Sequence, residues 1–144
     1  MLFVDASVVV AILAQEPDSA ELMDRLERDG GPFYMSAIVR MEATLSLARR
    51  LAEATGKDKP ATPKMFEQAR RLVDQFATDL AAREAMISGD VGNKALDAAQ
   101  RYGKIVNHPA KLNMGDCFAY ACAKAYRLQL AYKGDDFTET DLAW

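Results

Sequence analysis

Acids stand at four places in the chain where acids are unexpected. Asp5 interrupts the apolar run Phe3 to Leu13, FVDASVVVAIL, and Glu42 has Ile38, Val39 and Leu45 at its helical neighbour positions. Asp116 opens the apolar stretch GDCFAYA, and Asp135 and Asp136 follow Leu130 to Tyr132. One histidine, His108, and two cysteines, Cys117 and Cys122, do not readily build a tetrahedral zinc site, so a metal here has to be held by oxygen. Carboxylates gathered at a partly apolar edge raise one another's pKa, and desolvation adds to this. A hard divalent cation, Mg²⁺ or Mn²⁺, relieves both costs. Each acid also has an ordinary structural role open to it: Asp5 as a helix cap, Glu42 as a rim residue, Asp116 as a first-turn carboxylate, Asp136 as a turn residue. A phosphoryl-transfer site with Asp5 as nucleophile fits poorly, because Ser7 stands where a second acid would be needed and no Gly-rich phosphate loop occurs.

The elements that position these acids follow from pattern. Leu2 to Val4 reads as a short strand, with Asp5 at its junction with a buried helix over Val8 to Leu13. Pro17-Asp18 starts a helix that stops at Gly30-Gly31; Phe33 to Met35 is a second strand; Ser36 caps a helix carrying Glu42 and ending at Gly56. Lys57 to Ala61 is a polar link, and Thr62-Pro63 opens the next helix. Ala85 to Ile87 reads as a brief strand, Asp90 as the opening of a helix to Gly103, Lys104 to Leu112 as a loop. Asn113 caps a helix that bears Asp116 and runs to about Leu128, and Leu130 to Tyr132 is a last strand before the turn at Gly134 to Asp136. Short strands alternating with helices predict an α/β domain with a mainly parallel sheet, in which ligands bind beyond the carboxyl ends of the strands. Asp5 and Asp135-Asp136 both fall at that edge.

The 144 residues, 50% hydrophobic and 27% charged, fit a single domain over residues 1–144 with a sizeable core. No apolar run reaches the roughly 20 residues of a membrane span, and no basic residue precedes Arg25 to make the first apolar run a secretory signal, so a soluble, cytoplasmic protein is expected. The cysteines, five apart on one helix, point in different directions and suit a reducing compartment as buried apolar residues. Net charge is −3, which argues against wholesale coating of nucleic acid, but it is unevenly spread: residues 1–39 carry −5 and residues 40–71 carry +4. Arg40, Arg49 and Arg50, on the helix with Glu42, are therefore candidates to meet a polyanion. Their alternative is surface solubility. His108, a lone loop histidine before a proline, reads as a packing residue rather than a catalytic one.

Four segments carry a family resemblance: VDAS at Val4 to Ser7, MEATLSL at Met41 to Leu47, LNMGDCFAYACAKA at Leu112 to Ala125, and YKGDDFTETDL at Tyr132 to Leu142. The chain resembles PIN-domain ribonucleases, and among them the VapC-type toxins of bacterial toxin–antitoxin pairs. The resemblance implies a three-layer α/β/α sandwich around a short parallel sheet and a metal-dependent endoribonuclease that hydrolyses RNA. It also implies an acidic quartet of Asp5, Glu42, Asp116 and Asp136 holding Mg²⁺ or Mn²⁺, with Asp135 the alternative for the fourth position. Ser7 matches a family serine that orients Asp5 or a water from behind. Ala6 stands where many relatives carry Thr or Ser. A VapB-type antitoxin and a homodimer, the latter using the apolar helices at residues 8–13 and 38–51, are the implied partners. The alternative is a catalytically idle RNA- or antitoxin-binding module of the same fold.

Overall fold

A computed structural model describes residues 1–142 and 144. Its strands are β1 (Leu2–Val4), β2 (Phe33–Met35), β3 (Arg83–Glu84) and β4 (Gln129–Ala131), and its helices α1 (Ala6–Leu13), α2 (Ser19–Asp29), α3 (Ala37–Glu53), α4 (Pro63–Asp79), α5 (Gly89–Tyr102) and α6 (Met114–Tyr126). The sheet is parallel throughout, in the order β3-β2-β1-β4. Parallel pairing forces each return through a crossover, here helical, which is why strands and helices alternate. The predicted α/β/α sandwich is the observed architecture. Helices α1, α3 and α4 pack together, as do α5 and α6, and α3 also meets α6.

Topology fixes where a ligand can go. From β1 the chain builds outward through β2 to β3, and β4 is then added on the other side of β1. The order reverses between β1 and β4, and a crevice opens outside the carboxyl ends at such a switch point. Register aligns Val4 with Ala131, so the residues following the two strands emerge side by side. The Asp5 N–H donates to the Ala131 carbonyl at 3.0 Å and extends this ladder by one rung. Leu2, Phe3, Val4 and Leu130 are fully buried, as continuous apolar runs covered on both faces must be.

Boundaries differ from pattern where local chemistry wins. The edge strand is Arg83–Glu84 rather than Ala85–Ile87: its two residues are exposed, so it carries no apolar signal, although the Ala85 N–H still bonds to the Met35 carbonyl. Met86 and Ile87 are exposed. α5 is capped by the Ser88 hydroxyl on the Val91 N–H, so the helix opens two residues before Asp90, which lies in its first turn. The stretch Lys104 to Leu112 contains a short 3-10 turn, Lys104–Val106. α6 ends at Tyr126 because Arg127 enters the left-handed region at φ 55, and β4 begins one residue early at Gln129. Of the two apolar stretches, α1 buries Val8, Val9, Val10 and Ala11 and leaves Ile12 and Leu13 half-buried, while on α3 Met41 and Leu45 are exposed. No helix among the described residues is long and apolar enough to cross a membrane.

Candidate active site at the strand ends

Asp5 is the N-cap of α1, with extended backbone (φ −74, ψ 155), and only 6% of it is exposed. Its Oδ2 accepts from the Ser7 N–H at 3.0 Å and from the Ser7 hydroxyl at 2.6 Å. Asp116 is the third residue of α6 and 8% exposed. Its Oδ2 accepts from the Asn113 N–H at 3.0 Å, while the Asn113 Oδ1 accepts from the Asp116 N–H at 2.9 Å, a reciprocal capping box. In both aspartates Oδ2 is committed to the fold, which fixes the direction of the carboxylate.

Glu42 reaches the same place from the side. Gly115, the second residue of α6, has no side chain, and a Cβ built there would lie 2.0 Å from Glu42 Oε1 and 2.3 Å from Oε2. The glutamate carboxylate therefore rests on the bare backbone of α6, next to Asp116. Its Oε1 is buried and has no hydrogen-bond partner. A buried charged oxygen without a partner costs free energy, so it points to a ligand. Asp136 is exposed on the turn after β4, followed by the fully buried anchor Phe137.

The PIN domain family matches residues 2–142. A VapC ribonuclease of Rhizobium meliloti (strain 1021) is 50% identical over 142 residues, covering 99% of both chains. The chain belongs to the PIN-domain family, among its VapC ribonucleases. Solved structures agree in fold at low identity. The sarcin-ricin-loop-cleaving toxin VapC20 of Mycobacterium tuberculosis superposes with TM-score 0.72 at 17% identity over 99% of this chain and 97% of that one. A toxin–antitoxin complex from Klebsiella pneumoniae superposes with TM-score 0.63 at 17% identity over 98% and 93%.

The electrostatics of this PIN domain are those of like charges converging. Burial pushes Glu42 up from 4.5 to about 7, and the charges of Asp5 and Asp116 add to it. Burial likewise raises Asp116 to about 6, opposed by its Asn113 bond and reinforced by Asp5 and Asp136. Asp5 is raised by burial, against its bonds to Ser7 and Ala6, and Asp136 contributes in the same direction. Asp5 and Asp116 act on Glu42, Asp136 acts on Asp5 and Asp116, and Asp135 is absent from every one of these causes. The approach stops short of a closed cage: among the described residues no group of three or more acids, histidines or cysteines is disposed as a metal site. The donor chemistry nevertheless suits a hard divalent ion, with oxygen-only donors, an orphaned Glu42 oxygen, and mutual repulsion that a cation would cancel.

The arginines separate. Arg40 lies two residues from Glu42, about 200° around α3, and faces Asp74 of α4 at 3.7 Å. Arg50 bonds to Glu16 at 2.8 Å. Arg49 is two turns from Glu42 on the same side of α3, exposed and without an ion pair among the described residues. The ring of His108 packs edge-on against Tyr102, and its Nδ1 accepts from the Ala110 N–H at 3.0 Å, a packing role as expected. Cys117 and Cys122 are buried free thiols. Sequence reasoning passed over Gly115 and Lys133. The signal for the first was a glycine inside a helix where alanine is the better helix former; for the second it was a lysine at the root of the acidic turn.

Proposed function

We propose that this chain hydrolyses RNA phosphodiesters at the crevice between β1 and β4, with Asp5, Glu42, Asp116 and Asp136 as the carboxylates that hold Mg²⁺ or Mn²⁺. The observation that carries this reading is the buried, partnerless Glu42 Oε1 at the topological switch point, on a carboxyl that the charges of Asp5 and Asp116 also reach. A bound divalent ion supplies Lewis-acid polarisation of the scissile phosphate and neutralises charge on the leaving oxygen. Ser7 fixes the orientation of Asp5, and the capping box fixes that of Asp116, so both carboxylates are held in place before substrate arrives. An acidic crevice repels the phosphate chain, and Arg49 is the cation best disposed to offset this, since Arg40 and Arg50 already face carboxylates.

The chain is the toxin of a VapBC-type pair, and its cognate partner is a VapB-type antitoxin. Cytoplasmic RNA is the substrate this role requires, and a homodimer is its expected assembly. The idle-module alternative draws on one observation, the absence of a closed metal cage among the described acids. Against it stands the mutual repulsion of those acids, which a purely structural module has no reason to retain. Cleavage of total cellular RNA, with EDTA, Mg²⁺ or Mn²⁺, by the native protein and by Asp5→Asn and Asp116→Asn decides the matter. Metal-dependent cutting that is lost in both folded variants is expected. Cutting indifferent to EDTA, or unchanged in both variants, overturns the assignment.

A further inference from the structure

β4 ends at Ala131, and the chain must then carry Asp136 back across the acidic edge. Gly134 makes the turn at φ +91, and Gly134, Asp135 and Asp136 are all exposed, so this turn has little packing of its own before Phe137. Its root is tied down by one residue. The Lys133 N–H donates to Ser7 Oγ at 3.0 Å. Having accepted there, the serine directs its single proton to Asp5 Oδ2 at 2.6 Å. The Lys133 ammonium donates to Glu16 Oε2 at 2.5 Å and to Asp18 Oδ1 at 3.0 Å, both on the turn between α1 and α2. Glu16 is held in turn by Arg50 at 2.8 Å.

A lysine beside a phosphodiester site ordinarily contacts phosphate. Here the charge is already matched by two carboxylates, and the Lys133 bond is the leading cause that lowers the Glu16 pKa. The side chain has no hydrogen bond to the quartet; by anchoring residue 133 to Glu16 and Asp18 it holds in place the backbone N–H that bonds Ser7 and the turn that bears Asp136.

We propose that Lys133 is a positioning residue, clamping the root of the Asp136 turn to Ser7 and to the α1–α2 turn so that Asp5 and Asp136 face one point. Arg50 belongs to this clamp through Glu16 and not to the RNA surface. The inference rests on the acidic crevice being the ribonuclease site.

The test uses the full-length protein as native, Lys133→Met, Lys133→Arg, Glu16→Gln, the Lys133→Met/Glu16→Gln pair, and Asp116→Asn as a site control. Cleavage of an oligoribonucleotide is followed for kcat and KM between 50 and 200 mM salt, and amide exchange is followed over residues 133–136. Lys133→Met should lower kcat by roughly 10- to 100-fold, the scale of a displacement of about 1 Å. KM and its salt dependence should stay within about twofold, exchange in the turn should speed up, and Lys133→Arg should recover most of the rate. Glu16→Gln should fall in the same direction, and the pair should be no worse than Lys133→Met alone. A rise in KM with a shallower salt slope makes Lys133 a phosphate contact and overturns the proposal, as does an unchanged kcat or an additive pair. Should Lys133→Met fail to fold, Glu16→Gln decides alone by the same readouts. Native protein that cuts no RNA removes the ribonuclease reading, and exchange in the turn then still tests the clamp. Native cutting with an inert Asp116→Asn and an undiminished Lys133→Met removes the clamp only.

Discussion

Gly115→Ala adds one methyl group, no charge and no polar atom, yet it strikes the centre of the site. The new Cβ would lie 2.0 Å from Glu42 Oε1 and 2.3 Å from both Cδ and Oε2, against a floor near 3.0 Å for real contacts, so the carboxylate must retreat by about 1 Å. It can retreat, because it is the far end of a flexible side chain. The fold therefore loses little: overpacking costs about 1–3 kcal/mol when nothing can move, and here relief by the glutamate is joined by the gain of about 1 kcal/mol for alanine over glycine in a helix. Melting temperature should shift by no more than a few degrees. Activity should not be spared, since a displacement of about 1 Å in a reacting constellation costs on the order of 100-fold, or about 2.7 kcal/mol of transition-state stabilisation.

A second substitution sharpens the test. Glu42→Asp withdraws the carboxylate by about one carbon–carbon bond, roughly 1.5 Å, which harms the native site but makes room beside an alanine at 115. Cleavage of a defined oligoribonucleotide at saturating Mn²⁺ should fall in each single variant and be no lower, or partly restored, in the double. Mn²⁺ affinity by calorimetry should follow the same order. Full activity in Gly115→Ala, or losses that multiply in the double variant, would refute the claim that the missing side chain seats Glu42.

Removal of divalent metal should give the protein an inverted pH response between pH 5 and 8. Glu42 near 7, Asp116 near 6 and a raised Asp5 mean that the folded chain holds protons the unfolded chain releases from about pH 4 upward, so stability is fully present in acid and is lost as pH rises through these values. Thermal melts in EDTA should therefore fall from pH 5 to pH 8, and Mn²⁺ should restore stability most at pH 8; a melting temperature that climbs with pH in EDTA contradicts this. Asp136→Asn should lower cleavage at least tenfold, and Asp135→Asn should change it less than threefold, because burial is the main cause that raises Asp5 and Asp116 and, of the two turn acids, Asp136 alone adds to it. Equal losses measured in the same assay would move the fourth position to the pair as a unit. Arg49→Ala should raise KM for RNA severalfold and flatten its salt dependence while Arg40→Ala leaves both unchanged, and the reverse ranking would relocate the RNA path to the α3–α4 face. Tyr120→Phe, which deletes a 2.6 Å bond to Asp141, should cost about 0.5–1.5 kcal/mol in urea unfolding with kcat untouched.

Local chemistry was legible because it is written within a few residues. Asp5 after three apolar strand residues, Asn113 three before Asp116, and Ser36 and Thr62 ahead of their helices all appear as expected, since a cap and its acceptor are neighbours in the chain. What failed to show was set by distant partners. The need for glycine at 115 comes from a side chain on α3, the Lys133 clamp closes on residues more than a hundred positions earlier, and β3 hides because an edge strand of Arg and Glu has no apolar period. The direction of Arg40 was readable from helical angle alone, but its partner Asp74 was not. The apparent rivalry between structural and functional roles for the acids also dissolves in the geometry. In both Asp5 and Asp116 the Oδ2 takes part in capping a helix, so capping supplies the rigidity that a metal ligand requires. Glu42 caps nothing, its Oε1 is bare, and its seat on Gly115 is a part of the site that a single methyl can dislodge.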